Sequence, residues 1–128
     1  MSNYSKTEIE KGAFCPMQIV MQVLGGKWKF VILYSLMDKK PKRFKVLERG
    51  IAGIKARMLI KELKSLEAHG LVKRTAYPTV PPTVEYQLTE YGISLLPVIE
   101  VLDVWGRKHQ QRCDKKTKSA KSKTSTVA

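Results

Sequence analysis

Ile54-Lys55-Ala56-Arg57-Met58-Leu59-Ile60-Lys61-Glu62-Leu63-Lys64-Ser65-Leu66-Glu67-Ala68-His69, closed by Gly70, is a helix sorted into two faces. Wound at about 3.6 residues per turn, it gathers Leu59, Leu63 and Leu66 on one side and Arg57, Lys61 and Lys64 on the other. A leucine stripe docks a helix onto a core, so the basic stripe behind it points outward. Upstream, Gly50 to Gly53 reads as a turn, and Arg43 to Arg49 as a short helix with Phe44 and Leu47 turned inward. Short helix, turn and two-faced helix together make a helix-turn-helix, whose second helix is the part that enters a DNA groove.

Working outward, Cys15-Pro16 opens an earlier helix, because proline is favoured at the first helical position. Met17, Val20, Met21 and Leu24 make its apolar stripe and Gly25-Gly26 ends it. A second helix, from about Lys27 to Met37, is nearly all apolar after Lys29 and belongs in the core. Downstream, the period changes. Leu71 to Tyr77 and Thr83 to Leu88 read as two strands, with Pro78-Thr79-Val80-Pro81-Pro82 as an exposed hairpin tip. Thr89 caps a long last helix reaching about His109. The expected architecture is a mainly α winged helix-turn-helix of about five helices with a two-stranded wing. Residues 1–14 form a flexible N-terminal arm, 15–109 a DNA-binding and dimerisation domain, and 110–128 a disordered basic tail.

The 128 residues fit one domain, and 43% of them are hydrophobic, enough for a globular core. The net charge is +13, with eight Lys or Arg against one acid after residue 106, so the folded part is basic as well as the tail. Such charge draws phosphates. The N-terminal stretch is polar, and the longest apolar run, Phe30 to Met37, is far too short to span a bilayer, so no membrane partner is expected. Cys15 and Cys113 lie too far apart for a disulfide framework or a metal-ligand spacing, which points to a reduced, cytoplasmic setting. His69 and His109 have no ligand partner at a suitable spacing, and Glu62 and Glu67 read as surface charges. No cofactor, metal or enzymatic site is expected, since no phosphate loop, nucleophile elbow or triad is present.

Several short motifs occur in a fixed order: Cys15-Pro16, Gly25-Gly26-Lys27-Trp28, Arg43-Phe44, Leu63 with Leu66-Glu67 and Gly70-Leu71, Tyr77-Pro78, Pro81-Pro82, Val84-Glu85-Tyr86, Leu88-Thr89, Gly92 and Trp105-Gly106. This set resembles the HxlR-type regulators, a bacterial branch of the MarR-like winged-helix proteins, over roughly residues 15 to 107. The resemblance implies a homodimeric DNA-binding repressor or activator. It also implies a sensing role for a cysteine near the N-terminus, where Cys15 stands. One position departs from it: the family usually has Ser or Thr at the start of the recognition helix, and here Gly53-Ile54 is followed by Lys55.

The expected DNA-binding residues are Arg43, Lys45, Lys55, Arg57, Lys61, Lys64, Thr79 and Thr83, with Lys73 and Arg74 supporting the wing. Arg57 stands in the first turn of the helix, the part that reaches base edges. The last helix carries more apolar surface than one core accepts, so Leu95, Val98, Ile99, Leu102 and Trp105, joined by Met17 and Met21 of the first helix, are the expected homodimer seam. Cys15, at a helix N-terminus near Lys11 and Lys27, occupies an electropositive setting of the kind in which redox-sensing cysteines occur; the alternative is a small buried apolar residue. Expected partners are double-stranded DNA, a second copy, and an oxidant or small-molecule effector. The alternative function is a structural nucleic-acid binder that reads no sequence.

Overall fold

The computed structural model describes residues 15–127, with side chains described through residue 116, and the proposed arm of residues 1–14 lies outside it. The chain divides into two units, residues 1–95 and 96–128.

In the first unit, α1 (Pro16–Leu24) has Pro16 at its first position and extended Cys15 as N-cap. The Cys15 N–H donates to Gln18 Oε1 at 2.9 Å. α2 (Lys29–Ser35) is shorter than expected at both ends, and it puts Ile32 and Leu33, with Leu36 just beyond, wholly inside. β1 (Lys42–Arg43) leads directly into α3 (Phe44–Gly50), which buries Leu47 and leaves Phe44 half-buried instead of turned fully inward. The turn that follows depends on Gly53, whose φ of 83° lies in the left-handed region that glycine tolerates.

α4 (Ala56–Ala68) is the two-faced helix, and Leu59, Leu63 and Leu66 are its buried residues. Lys55 stands at its N-cap in an extended conformation and gives no side-chain cap, as expected of a residue without a short hydroxyl or carboxylate acceptor. β2 (Val72–Tyr77) and β3 (Thr83–Leu88) pair antiparallel from Val72 opposite Leu88 to Tyr77 opposite Thr83. The sheet has a third strand that the pattern did not reveal. β1 pairs with the other edge of β3, Lys42 opposite Tyr86 and Arg43 opposite Glu85, so the order is β1-β3-β2. β3 is therefore central, and it buries Tyr86 and Leu88.

Thr89 does cap a helix, but not the long one. Its Oγ1 accepts the Gly92 N–H at 2.9 Å and starts the single turn α5 (Glu90–Ile93). The long helix α6 (Leu96–Val127) begins afresh and forms the second unit. Pro97 explains the break: it has no N–H to donate, and its ring would press on the Ile93 carbonyl if the helix ran through. The helix then continues past His109 to Val127, where sequence reading placed a disordered tail from residue 110. From Arg107 onward the chain has no Gly or Pro and is rich in Lys and Arg, which are favourable to helix.

Candidate nucleic-acid interface

α4 turns its leucines inward and exposes Lys55, Arg57, Lys61 and Lys64. Among the described residues the ion pairs are Lys29–Glu62, Lys42–Asp38 and Arg107–Asp103, so none of these four cations is held by the protein's own acids. Met58 and Ile60 flank the basic stripe and are partly exposed.

The stripe serves two surfaces. Lys64 joins Arg43 and Lys45 at the start of α3, and Arg74 of β2, around an open groove of about 640 Å³. Phe44, Ile60, Val84, Tyr86 and the wing residues Pro81, Pro82 and Thr83 form the rest of its wall, with no acid among them. The β1–β3 pairing carries Arg43 to the wing, an arrangement that needs a contact between residues some forty positions apart. Arg74 was expected only to support the wing; here it belongs to the same cationic ring as Lys64. Lys61 lies on the other flank of α4, beside a groove of about 660 Å³ lined by Lys27, Trp28, Lys29, Met21 and Met58. Arg57 and Lys55, at the first turn of α4, line neither groove.

The two wing threonines are engaged within the hairpin. Thr79 Oγ1 donates to the Pro81 carbonyl at 2.8 Å and lies 3.0 Å from Thr83 Oγ1. With its one proton committed to Pro81, Thr79 must accept from Thr83. These bonds brace a tip from which Val80 protrudes, 99% exposed.

Glu62, read from sequence as a surface charge, is not one. Its carboxylate meets Lys29 Nζ at 2.7 Å, and both side chains are mostly buried. The signal was present, because Glu62 stands one residue from Leu63 and within a turn of Leu59 and Leu66, on the shoulder of the buried face. Lys42 is also occupied: Nζ donates to the Ser35 carbonyl and lies 3.4 Å from Asp38 Oδ2. The Lys40 backbone N–H donates to Asp38 Oδ1 at 3.1 Å, and this bond, with Lys42 beside it, holds the Asp38 carboxyl below its ordinary range.

Of the expected seam residues, Met17, Met21, Val98, Leu102 and Trp105 are 44% to 66% exposed, Leu95 is half-buried, and Ile99 is buried within the single chain. Both Cys15 and Cys113 are exposed, which removes the reading of Cys15 as a buried apolar residue. Among the described residues no helix is long and apolar enough to cross a membrane, and no group of three or more metal-ligating side chains occurs.

This order of elements, with an outward basic helix beside a braced hairpin, is that of a winged helix, and a family model described as HxlR-like helix-turn-helix matches residues 23–114. The chain belongs to the HxlR-like helix-turn-helix family. Among its relatives, the uncharacterized HTH-type transcriptional regulator BH0655 of Halalkalibacterium halodurans is 50% identical over 95 residues, 74% of this chain and 84% of that protein. The redox regulator HypR in its reduced form is similar at a TM-score of 0.72 and 39% identity, covering 79% of this chain and 99% of that one. The reduced form of the transcriptional regulator YodB from Bacillus subtilis is similar at a TM-score of 0.62 and 39% identity, covering 72% of this chain and 90% of that one. The HxlR match includes both halves of the helix-turn-helix and the entire wing, and the relatives carry the description of HTH-type transcriptional regulators.

Proposed function

We propose that this HxlR-family chain is a sequence-specific, cytoplasmic transcriptional regulator that binds a near-palindromic operator as a homodimer. The observation that carries the reading is the set Arg57, Lys61 and Lys64, exposed and unclaimed by the described acids, on a helix whose underside is leucine. We assign Arg57 and Lys55 to the deepest contact in the major groove. Lys64, Arg43, Lys45 and Arg74 take phosphates along the groove that leads to the wing, and Thr79 and Thr83 hold the wing tip in shape beside the DNA. Dimerisation is supported by the exposed apolar side chains of α1 and α6, since a two-fold pair spaces two recognition helices about one turn of DNA apart.

Cys15 is the proposed sensor of an oxidant or electrophile. It is exposed at the N-terminus of α1, next to the Met17 and Met21 surface assigned to the dimer, so a sulfenic acid or a mixed disulfide there alters the seam. The similarity to HypR, a redox regulator, and to YodB, solved in a reduced form, supports this reading.

The high charge also favours a protein that coats DNA without reading it. Selection of bound duplexes from a random pool, with and without diamide, separates the two. The regulator enriches a two-fold motif, and diamide changes its retention in the wild type but not in Cys15→Ser. A coating protein enriches nothing and shows a steep salt dependence on every duplex.

A further inference from the structure

We infer that His109 and Cys113 of α6 form a two-residue chelate for a soft or borderline divalent cation of the zinc type. The expectation that His109 has no ligating neighbour does not hold: Cys113 stands four residues on along the same helix face, with its Sγ 3.6 Å from His109 Nε2. A zinc ion held about 2.3 Å from sulfur and about 2.05 Å from nitrogen at a near-tetrahedral angle separates its two donors by about 3.5 Å. The pair already has that bite, so the ion enters without a change of helix geometry. The imidazole is also held in place, because Trp105, one turn earlier, stacks on His109 with ring centroids 5.1 Å apart and planes within 5°. Stacking holds the plane of the ring, which lowers the entropy lost when the metal binds.

The donor set decides the ion. Thiolate and imidazole suit zinc, cadmium and copper and do not suit magnesium or calcium, which take oxygen ligands. Arg112 and Lys116, three residues beyond His109 and Cys113, add positive charge along this part of the helix. That charge opposes a dication attracted by charge alone and leaves the advantage to one that gains a covalent metal–sulfur bond. In the binding step the Cys113 thiol gives its proton to solvent, the sulfur lone pair bonds the metal, neutral His109 donates its Nε2 pair, and four of the six aqua ligands of the hydrated ion leave as two remain. Neither residue has a part in the DNA reading, so the chelate stands or falls separately from it.

The test is a cobalt(II) titration of the full, reduced chain, read by thiolate-to-cobalt charge-transfer absorption and by displacement with zinc. The expected result is a band that one proton release accompanies, that Cys113→Ser abolishes, that His109→Ala weakens in affinity at least about tenfold, and that Cys15→Ser leaves unchanged. All three sites are exposed, and circular dichroism verifies that each variant keeps its helix content. A band that survives Cys113→Ser, that requires Cys15, or that is indifferent to His109→Ala overturns the chelate, as does the absence of any band at millimolar cobalt.

Discussion

Lys29 and Glu62 meet at 2.7 Å, which ties the start of α2 to the middle of α4 beneath the exposed basic stripe. The pair is 14% and 12% exposed, dry enough that either charge left alone is costly. Its position makes it a positioning device: it sets the rotation of α4 about its own axis, and so where Arg57, Lys61 and Lys64 point.

The expected consequence is an asymmetry between single and double substitutions. Glu62→Leu strands the Lys29 ammonium and costs roughly 3 kcal/mol, whereas Lys29→Met with Glu62→Leu removes both charges and restores most of that loss. Urea denaturation of the three proteins measures it. Equal destabilisation in the single and the double variant would falsify the idea that an uncompensated charge is the cause.

Most of the fold was legible because α4 and the wing carry local signals. A leucine period of three and four residues marks α4, and three prolines between two β-rich runs mark the hairpin. Glu62 was misread because polarity was weighed ahead of its angular position beside the leucines. β1 could not be seen, since two residues have no period and their pairing depends on Glu85 and Tyr86, far away in sequence. The extension of α6 was missed because a lysine-rich, apolar-poor run scores as disorder although its lysines and arginines favour helix and no Gly or Pro interrupts it. The split between α5 and α6 did have a sign in Pro97, but the apolar repeat on both sides of it was read as continuous. The candidate site was readable only as a list of exposed cations, and their division between two flanks of α4, with Lys64 toward the wing and Lys61 toward Trp28, required the packed chain.

Gly92 marks a second point where the fold is tight. A Cβ built there stands 2.1 Å from the Leu71 carbonyl oxygen, which already accepts the Thr89 N–H at 3.1 Å. Backbone must therefore shift for any side chain to fit. Gly92→Ala is expected to cost about 2 kcal/mol through overpacking, seen as a lower melting temperature, even though alanine favours helix. An unchanged or raised melting temperature would show that α5 moves aside freely.

Asp38 gives stability a small acid limb. Its folded carboxyl sits below the ordinary 3.8 because the Lys40 N–H and then Lys42 favour the charged form. Folding therefore prefers the ionised state. The contribution is fully present above the ordinary value and is lost as pH falls through the lowered folded value. Asp38→Asn should be less stable than wild type near neutrality, and the gap should narrow in that acid range. Denaturation midpoints taken from pH 7 downward test it, and a gap that stays constant would remove Asp38 as the source.

Arg57 and Lys64 divide the proposed work of recognition, because the structure puts them in different surroundings. Arg57 stands in the first turn of α4 and lines neither protein groove, and in the proposed complex its guanidinium reaches base edges and makes paired hydrogen bonds to guanine. Lys64 stands two turns later among Arg43, Lys45 and Arg74, a cluster whose shared chemistry is attraction to phosphate. Arg57→Ala should cost about 1–3 kcal/mol on the selected operator and little on random duplex, so preference narrows. Lys64→Ala should weaken both duplexes alike and reduce the slope of log K against log salt by about 0.9, the share of one phosphate contact. Titrations of both variants on both duplexes over a range of salt concentrations resolve the two effects. If the variants lose affinity in the same proportion on operator and random DNA, α4 is a uniform phosphate-binding rod, and sequence reading must be sought elsewhere in the chain.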